Sequence, residues 1–239
     1  MSDLNSKVAF ITGGSKGIGY GVAEALIREG MRVAITSRSL AAAQKAAEQL
    51  NQIKPKAALG LEADVRDFSA QEEAVEETVK QFGQIDLVFA NAGLGYFASI
   101  EDMEPEKWNE VIDTNLTGVF YTVKASLEAL TKSKGFLITL SSLAGTNFFP
   151  TGSAYNASKF GLTGFTQSIM LDLRQHGIRV STIMPGSVAT YFNGHTPTEE
   201  DAWKIQPEDI GEMTVNLLKL NPRTLPSKIE VRPSMPPKK

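Results

Sequence analysis

The chain has 239 residues, 21% of them charged, with a net charge of −3 and no cysteine. That length suits one well-buried domain, the charge gives no reason to expect nucleic acid or an acidic membrane as partner, and disulfides and thiolate metal sites are excluded. Two isolated histidines, His176 and His195, suggest no metal centre, no apolar run is long enough to span a membrane, and the opening MSDLNSKVAFITGG does not resemble a secretory leader, so a cytoplasmic enzyme or binding protein is expected.

In chain order the pattern alternates: strand 7–12, helix 18–29, strand 32–36, helix 40–50, strand 56–63, helix 70–82, strand 85–90, helix 105–131, strand 135–140, helix 154–176, strand 178–184, helix 208–219 and strand 228–232. Several strands are apolar at successive positions, as in a parallel sheet covered on both faces. Strand–helix alternation predicts an α/β fold: a single-domain Rossmann fold, a doubly wound parallel sheet of about seven strands with helices on both faces. Ser69 with Glu72 fits a capping box, Glu104-Pro105-Glu106 fits a first helical turn, and Gly30 and Gly177 suit left-handed C-terminal caps. No repeat or linker divides the chain. The proline- and lysine-rich end, about 233–239, reads as a surface tail.

The first strand runs into Thr12-Gly13-Gly14-Ser15-Lys16-Gly17-Ile18-Gly19, and a helix follows. Glycines let the backbone approach a diphosphate, and the helix N-terminus adds unpaired N–H groups and a positive dipole. The same residues would also serve as a plain tight strand–helix connection. Dinucleotide folds often carry an acid about 20 residues on, where it binds ribose hydroxyls. Here that place is Thr36-Ser37-Arg38-Ser39, with no carboxylate. Arg38 suits a 2′-phosphate, with Lys16 as a second positive charge, which points to NADP(H) over NAD(H).

Tyr155 and Lys159 are four residues apart, so they share one helix face. A nearby ammonium favours the phenolate, and that would tune a tyrosine for proton transfer. Alone this spacing says little. Together with Asp64-Val65, Asn91-Ala92-Gly93, Asn115, Ser141-Ser142-Leu143-Ala144-Gly145 and Pro185-Gly186, the ordered set resembles the short-chain dehydrogenase/reductase family, in its compact single-domain branch. The resemblance covers about 7–220.

The resemblance implies a carbonyl–alcohol oxidoreductase. Tyr155 would be the general acid/base, Ser142 would hold the substrate oxygen, and Lys159 would lower the tyrosine pKa and bind the nicotinamide ribose. Asn115, within the helix 105–131, would position a proton-relay water, although it would also suit bracing a helix kink. Gly13, Ser15, Lys16, Gly17, Ile18 and Gly19 would cradle the diphosphate, and Ser37 and Arg38 would hold the adenosine ribose phosphate. Asp64 would bind the adenine amino group, with Val65 adding backbone contacts. The turn Asn91-Ala92-Gly93 would close over the cofactor, although Asn91 would equally suit a plain turn. Ser141 is expected to face away. Pro185, Gly186 and Val188 would lead past the nicotinamide, and Thr190 would bond its carboxamide. The family's usual homo-oligomers, dimers or tetramers, use the helices matching 105–131 and 154–176 and the last strand.

The segment 186–206 is short for a family member. An open pocket is therefore expected, lined by Tyr96, Phe97, Leu143, Phe148, Phe149, Tyr191 and Phe192 and suited to an apolar ketone or aldehyde. These aromatics would serve equally as packing residues. The alternative within the family is a 3-oxoacyl-[acyl-carrier-protein] reductase. Against it, Ser133 and His176 stand near the positions where that branch places docking arginines, and the closing Asp-Gly-Gly is missing. A third reading, from another class, is a non-catalytic NADP(H)-binding regulator, which would have no need of Ser142, Tyr155, Lys159 and Asn115 together.

Overall fold

In the computed structural model, which describes residues 3–235, each β-branched run finds a parallel partner. The strands are β1 (Val8–Ile11), β2 (Arg32–Ser37), β3 (Ala58–Glu62), β4 (Leu87–Ala90), β5 (Phe136–Leu140), β6 (Arg179–Pro185) and β7 (Lys228–Val231). They form one seven-stranded sheet in the order β3-β2-β1-β4-β5-β6-β7, parallel throughout. The helices are α1 (Gly17–Arg28), α2 (Leu40–Asn51), α3 (Phe68–Phe82), α4 (Pro105–Ile112), α5 (Gly118–Ser133), α6 (Ser153–Leu173) and α7 (Pro207–Lys219).

The alternation of side chains along β1 divides the core into two layers. Ala9 and Ile11 pack beneath α1, α2 and α7 with Leu26, Leu50 and Ile210, while Val8 and Phe10 pack beneath α3, α5 and α6 with Leu130 and Leu162. All four β1 residues are buried, which explains a strand without polar alternation. The order reverses at β1, where β2 and β4 flank it on opposite sides. A crevice at such a switch point, at the carboxyl ends of the strands, is where open α/β sheets bind ligands.

Three local expectations need correction. The Ser69–Glu72 capping box does not form: α3 starts earlier, and Asp67 caps it by accepting from Ser69 N (3.0 Å) and Ala70 N (3.3 Å). The helix expected over 105–131 is interrupted, because Asp113–Thr117 makes a π-helical turn closed by Gly118 N to the Asp113 carbonyl. The strand expected from residue 56 starts at Ala58, since Lys56 adopts a left-handed φ of 60°. Gly30 (φ 91°) and Gly177 (φ 76°) do end helical segments in the left-handed region. Of the expected tail, 236–239 lie outside the described residues, and Met235 is exposed.

Candidate active site

Four chain segments converge at the carboxyl ends of β1, β4, β5 and β6. The β1–α1 turn carries Gly13, Ser15, Lys16, Gly17, Ile18 and Gly19. Gly17 has φ 59°, a conformation that L side chains rarely adopt, and a β-carbon on Gly19 would fall 2.6 Å from Asn91 Nδ2. Lys16 is the N-cap of α1 but makes no side-chain capping bond, and the first turn holds no acid. The helix end therefore presents its N–H groups and positive dipole unopposed, which suits a diphosphate.

Asn91 ties this turn to β4. Its Nδ2 donates to the carbonyls of Thr12 (2.8 Å) and Gly13 (3.0 Å), while Thr12 Oγ1 accepts from Asn91 N and Ala92 N. Both amide protons are thus engaged in holding the turn, as the plainer reading of Asn91 anticipates. Gly93 is the crossing point of the site. A β-carbon there would lie 3.2 Å from Asn115 Oδ1 and 3.7 Å from Lys159 Nζ.

Asn115 is fully buried in the π turn. Its Oδ1 accepts from Leu94 N (2.9 Å), and its Nδ2 donates to the Leu94 carbonyl (2.8 Å) and to Ser158 Oγ (3.0 Å). The side chain thereby clamps the 91–95 segment onto α6 and has no amide proton left for a water. Its place is that of a positioning residue. Ser158, whose hydroxyl donates to the Tyr155 carbonyl at 2.8 Å, completes the clamp and was not singled out from the sequence.

Ser142, Tyr155 and Lys159 do come together. Ser142 follows β5 and caps a short 3-10 turn, its Oγ accepting from Ala144 N (3.1 Å) and donating to the Pro185 carbonyl (3.4 Å). Ser141 faces the other way, onto Lys159 O and Thr163. Burial pushes the Tyr155 hydroxyl up from its ordinary value, and the neighbouring Ser142 hydroxyl pulls it part of the way back. Burial also lowers Lys159 to about 8. The expectation that Lys159 lowers the tyrosine pKa is not met: the ammonium lies 5.8 Å from the Tyr155 ring centroid and donates to the Leu140 carbonyl at 2.9 Å. An ammonium has three donors. Among the described residues only that one bond to Lys159 Nζ is formed, so two donors remain for a ligand.

At the adenosine end, Ser37 and Arg38 close β2. Arg38 is exposed and in no ion pair among the described residues. Asp64 is less free than expected. Arg66 grips its carboxylate through Nε (3.1 Å to each oxygen) and Nη2 (2.6 Å), holding Asp64 below the usual carboxylate range. An adenine amino group would have to share that carboxylate. Arg66 sits directly after Asp64-Val65, so its closeness was legible in the sequence but was passed over. Val65 is buried against Gly118 and offers only backbone to a ligand.

The opposite wall is the segment after β6. Pro185, Gly186 and Val188 leave the sheet beside Ser142, Leu143 and β7, and Thr190 stands over Gly17. Tyr191 lies beneath the Lys16 ammonium, 5.7 Å away. Of the expected aromatic lining, Phe97 and Phe192 pack on Tyr155 and Phe149 packs behind Phe97. Phe148 is 85% exposed, and Tyr96 lies against Lys107 instead. The pocket is thus less open over Tyr155 than expected. Among the described residues no group of three or more His, Asp or Glu side chains is placed to hold a metal ion, and no helix is long and apolar enough to cross a membrane.

This arrangement has close counterparts. The family model described as "short chain dehydrogenase" matches residues 7–201. The chain belongs to the short-chain dehydrogenase/reductase family. An uncharacterized oxidoreductase of Staphylococcus saprophyticus is 33% identical, covering 98% of this chain and 100% of the relative. Among solved structures, an alcohol dehydrogenase from the archaeon Thermococcus sibiricus, complexed with 5-hydroxy-NADP, superposes with a TM-score of 0.90 at 32% identity, over 98% of this chain and 99% of that one. A metagenomic short-chain oxidoreductase in complex with NADP gives 0.85 at 31% identity, over 98% and 100%. As a short-chain dehydrogenase/reductase the chain is an oxidoreductase, and solved members of similar structure carry nicotinamide cofactors.

Proposed function

We propose that this oxidoreductase uses NADP(H) to interconvert a carbonyl and an alcohol on a small apolar substrate. The carrying observation is the convergence of Ser142, Tyr155 and the under-bonded, buried ammonium of Lys159 beside an uncapped helix N-terminus. The glycine turn 13–19 would hold the diphosphate, Arg38 and Lys16 the 2′-phosphate, and Lys159 the nicotinamide ribose. The cofactor, when bound there, would supply the hydride for the carbonyl carbon. Tyr155 donates its proton to the carbonyl oxygen, or removes it in the reverse direction. Ser142 directs a hydrogen bond at the same oxygen and stabilises charge as it develops there. Burial raises the Tyr155 hydroxyl, so it is protonated at neutral pH, the form from which it gives its proton in the reductive direction.

The NADP(H) preference rests on Arg38, unpaired at the end of β2, and on the lack of any carboxylate at 36–39. The two NADP-type complexes among the similar structures agree with it. We also propose a homo-oligomer, because Phe120, Phe160 and Leu171 leave large apolar surface exposed on α5 and α6. Light scattering at the monomer mass of 25.9 kDa for the active protein would contradict that. The activity is tested by NADPH oxidation against aryl ketones, α-diketones, aldehydes, steroids and 3-oxoacyl thioesters. Activity confined to the thioesters would move the assignment to 3-oxoacyl reduction.

A further inference from the structure

We infer that Phe192 determines substrate specificity: it forms one wall of the cleft beside Tyr155, so the cleft selects carbonyl compounds whose carbonyl is attached to a planar aromatic ring. This rests on the carbonyl-reductase reading above and narrows its substrate class.

The segment carrying Phe192 is an arch between two fixed points. At one end, Val188 bridges Ile205, with Ala189 N donating to Ile205 O (2.9 Å) and Ile205 N to Ser187 O (3.1 Å). At the other, His195 Nε2 lies 2.6 Å from Asp201 Oδ2, and the same buried carboxylate holds Lys204 Nζ (2.6 Å) and Thr198 N (3.1 Å). Between these anchors Asn193 (φ 54°) and Gly194 (φ 75°) reverse the chain. Phe192 is turned inward by that reversal.

Its seat is specific. A β-carbon on Gly95 would overlap the Phe192 ring, reaching 2.6 Å from Cε1, so only glycine leaves the ring room. From there Phe192 meets Tyr155 at 5.5 Å between centroids and Phe97 at 6.4 Å, and Phe97 meets Tyr155 edge-on at 5.5 Å. These separations lie within the range of favourable aromatic pairs. Two of the three rings are fixed. Tyr155 is on α6, and Phe97 precedes Ala98, which is bridged to Gly152 and donates to the Thr151 carbonyl at 2.9 Å. Phe192 alone comes from the arch, and it is 37% exposed.

A carbonyl oxygen within reach of the Tyr155 hydroxyl brings its substituent against the Tyr155 ring, beside Phe192. An aryl substituent there gains edge and tilted contacts with Phe192 and Phe97, of the kind those rings make with Tyr155. A saturated ring of equal carbon number is thicker and has no quadrupole to offer.

The test compares acetophenone with cyclohexyl methyl ketone, by kcat/KM with NADPH and by Kd for the NADPH complex of the Tyr155→Phe variant. The wild type is expected to favour acetophenone by roughly tenfold, from one to two aromatic pairs. Phe192→Leu and Gly95→Ala should bring the ratio close to one, and Phe192→Tyr should keep it. Equal use of both ketones by the wild type, or an unchanged preference in Phe192→Leu, overturns the inference and leaves carbonyl reduction standing. Tighter acetophenone binding without turnover of any carbonyl supports the cleft's selectivity and overturns the reaction. Equal binding of the two ketones overturns the inference.

Discussion

Lys159 lies within cation–π reach of Tyr155, its Nζ 5.8 Å from the ring centroid, yet among the described residues its one hydrogen bond goes to the Leu140 carbonyl at 2.9 Å. The ammonium is buried, 4% exposed, and among the described residues no carboxylate pairs with it. Burial without a compensating charge gives this ammonium an electrostatic cost.

The first prediction follows from that cost. Burial lowers Lys159 to about 8, whereas an unfolded lysine titrates near 10.4. Between these values the unfolded chain retains a proton that folded Lys159 has released, so this residue's contribution makes stability rise with pH across that window. Below it, both states are protonated and the full cost applies. Lys159→Met should therefore be more stable than the wild type at pH 7 by roughly 1–3 kcal/mol, with the gap narrowing towards pH 10. Urea denaturation of the cofactor-free proteins across that range measures it. A methionine variant no more stable at pH 7 would count against an uncompensated ammonium.

The second concerns the corrected cap of α3. Asp67→Ala should destabilise the protein by about 0.5–2 kcal/mol, as for loss of an N-cap. Glu72→Ala should have almost no effect, since Asp67 at the N-cap already accepts from Ser69 N and Ala70 N. Thermal unfolding of both variants decides between the two caps, and a larger loss from Glu72→Ala would restore the capping box.

Much of this was readable from residue pattern because the core is consistent at every level. The β1 run Val8–Ile11 is apolar on both faces, and it is central in a parallel sheet. Ser142, Tyr155 and Lys159 lie on two elements whose register brings them together, and their spacing along the chain signalled it. What escaped was tertiary. Helical periodicity continues through 113–117, so beyond Asn115, which also suits a helix kink, nothing local marks the π turn; there Asn115 reaches across to Leu94 and Ser158. The Asp67 cap was missed because Ser69 and Glu72 satisfied the same sequence rule two residues later. Gly95 looks like an ordinary loop glycine until Phe192, nearly a hundred residues on, is seen resting against it. Arg66 on Asp64 shows the converse, a neighbour in sequence whose pairing alters what a recognised residue has to offer.

The third prediction is cofactor choice. Arg38→Ala should weaken NADPH relative to NADH by about 10- to 100-fold, the value of one charge-assisted contact. Ser37→Asp added to it should shift preference further towards NADH. Lys16→Ala should change less, because a flexible ammonium resting over Tyr191 makes fewer fixed contacts than a guanidinium. Ratios of kcat/KM for the two cofactors with one carbonyl substrate measure this, and a wild type that favours NADH would end the assignment.

In the proposed function Tyr155 transfers the proton in a reaction at a carbonyl. Tyr155→Phe removes one hydroxyl and keeps the ring that packs on Phe97 and Phe192. The most direct measurement is carbonyl-dependent NADPH oxidation by wild type and Tyr155→Phe, with NADPH affinity determined for both by calorimetry. The predicted result is a turnover loss of about 10²- to 10⁴-fold at nearly unchanged NADPH affinity. Tight NADPH binding by a wild type that reduces no carbonyl, or a Tyr155→Phe variant that keeps most of its rate, would contradict it.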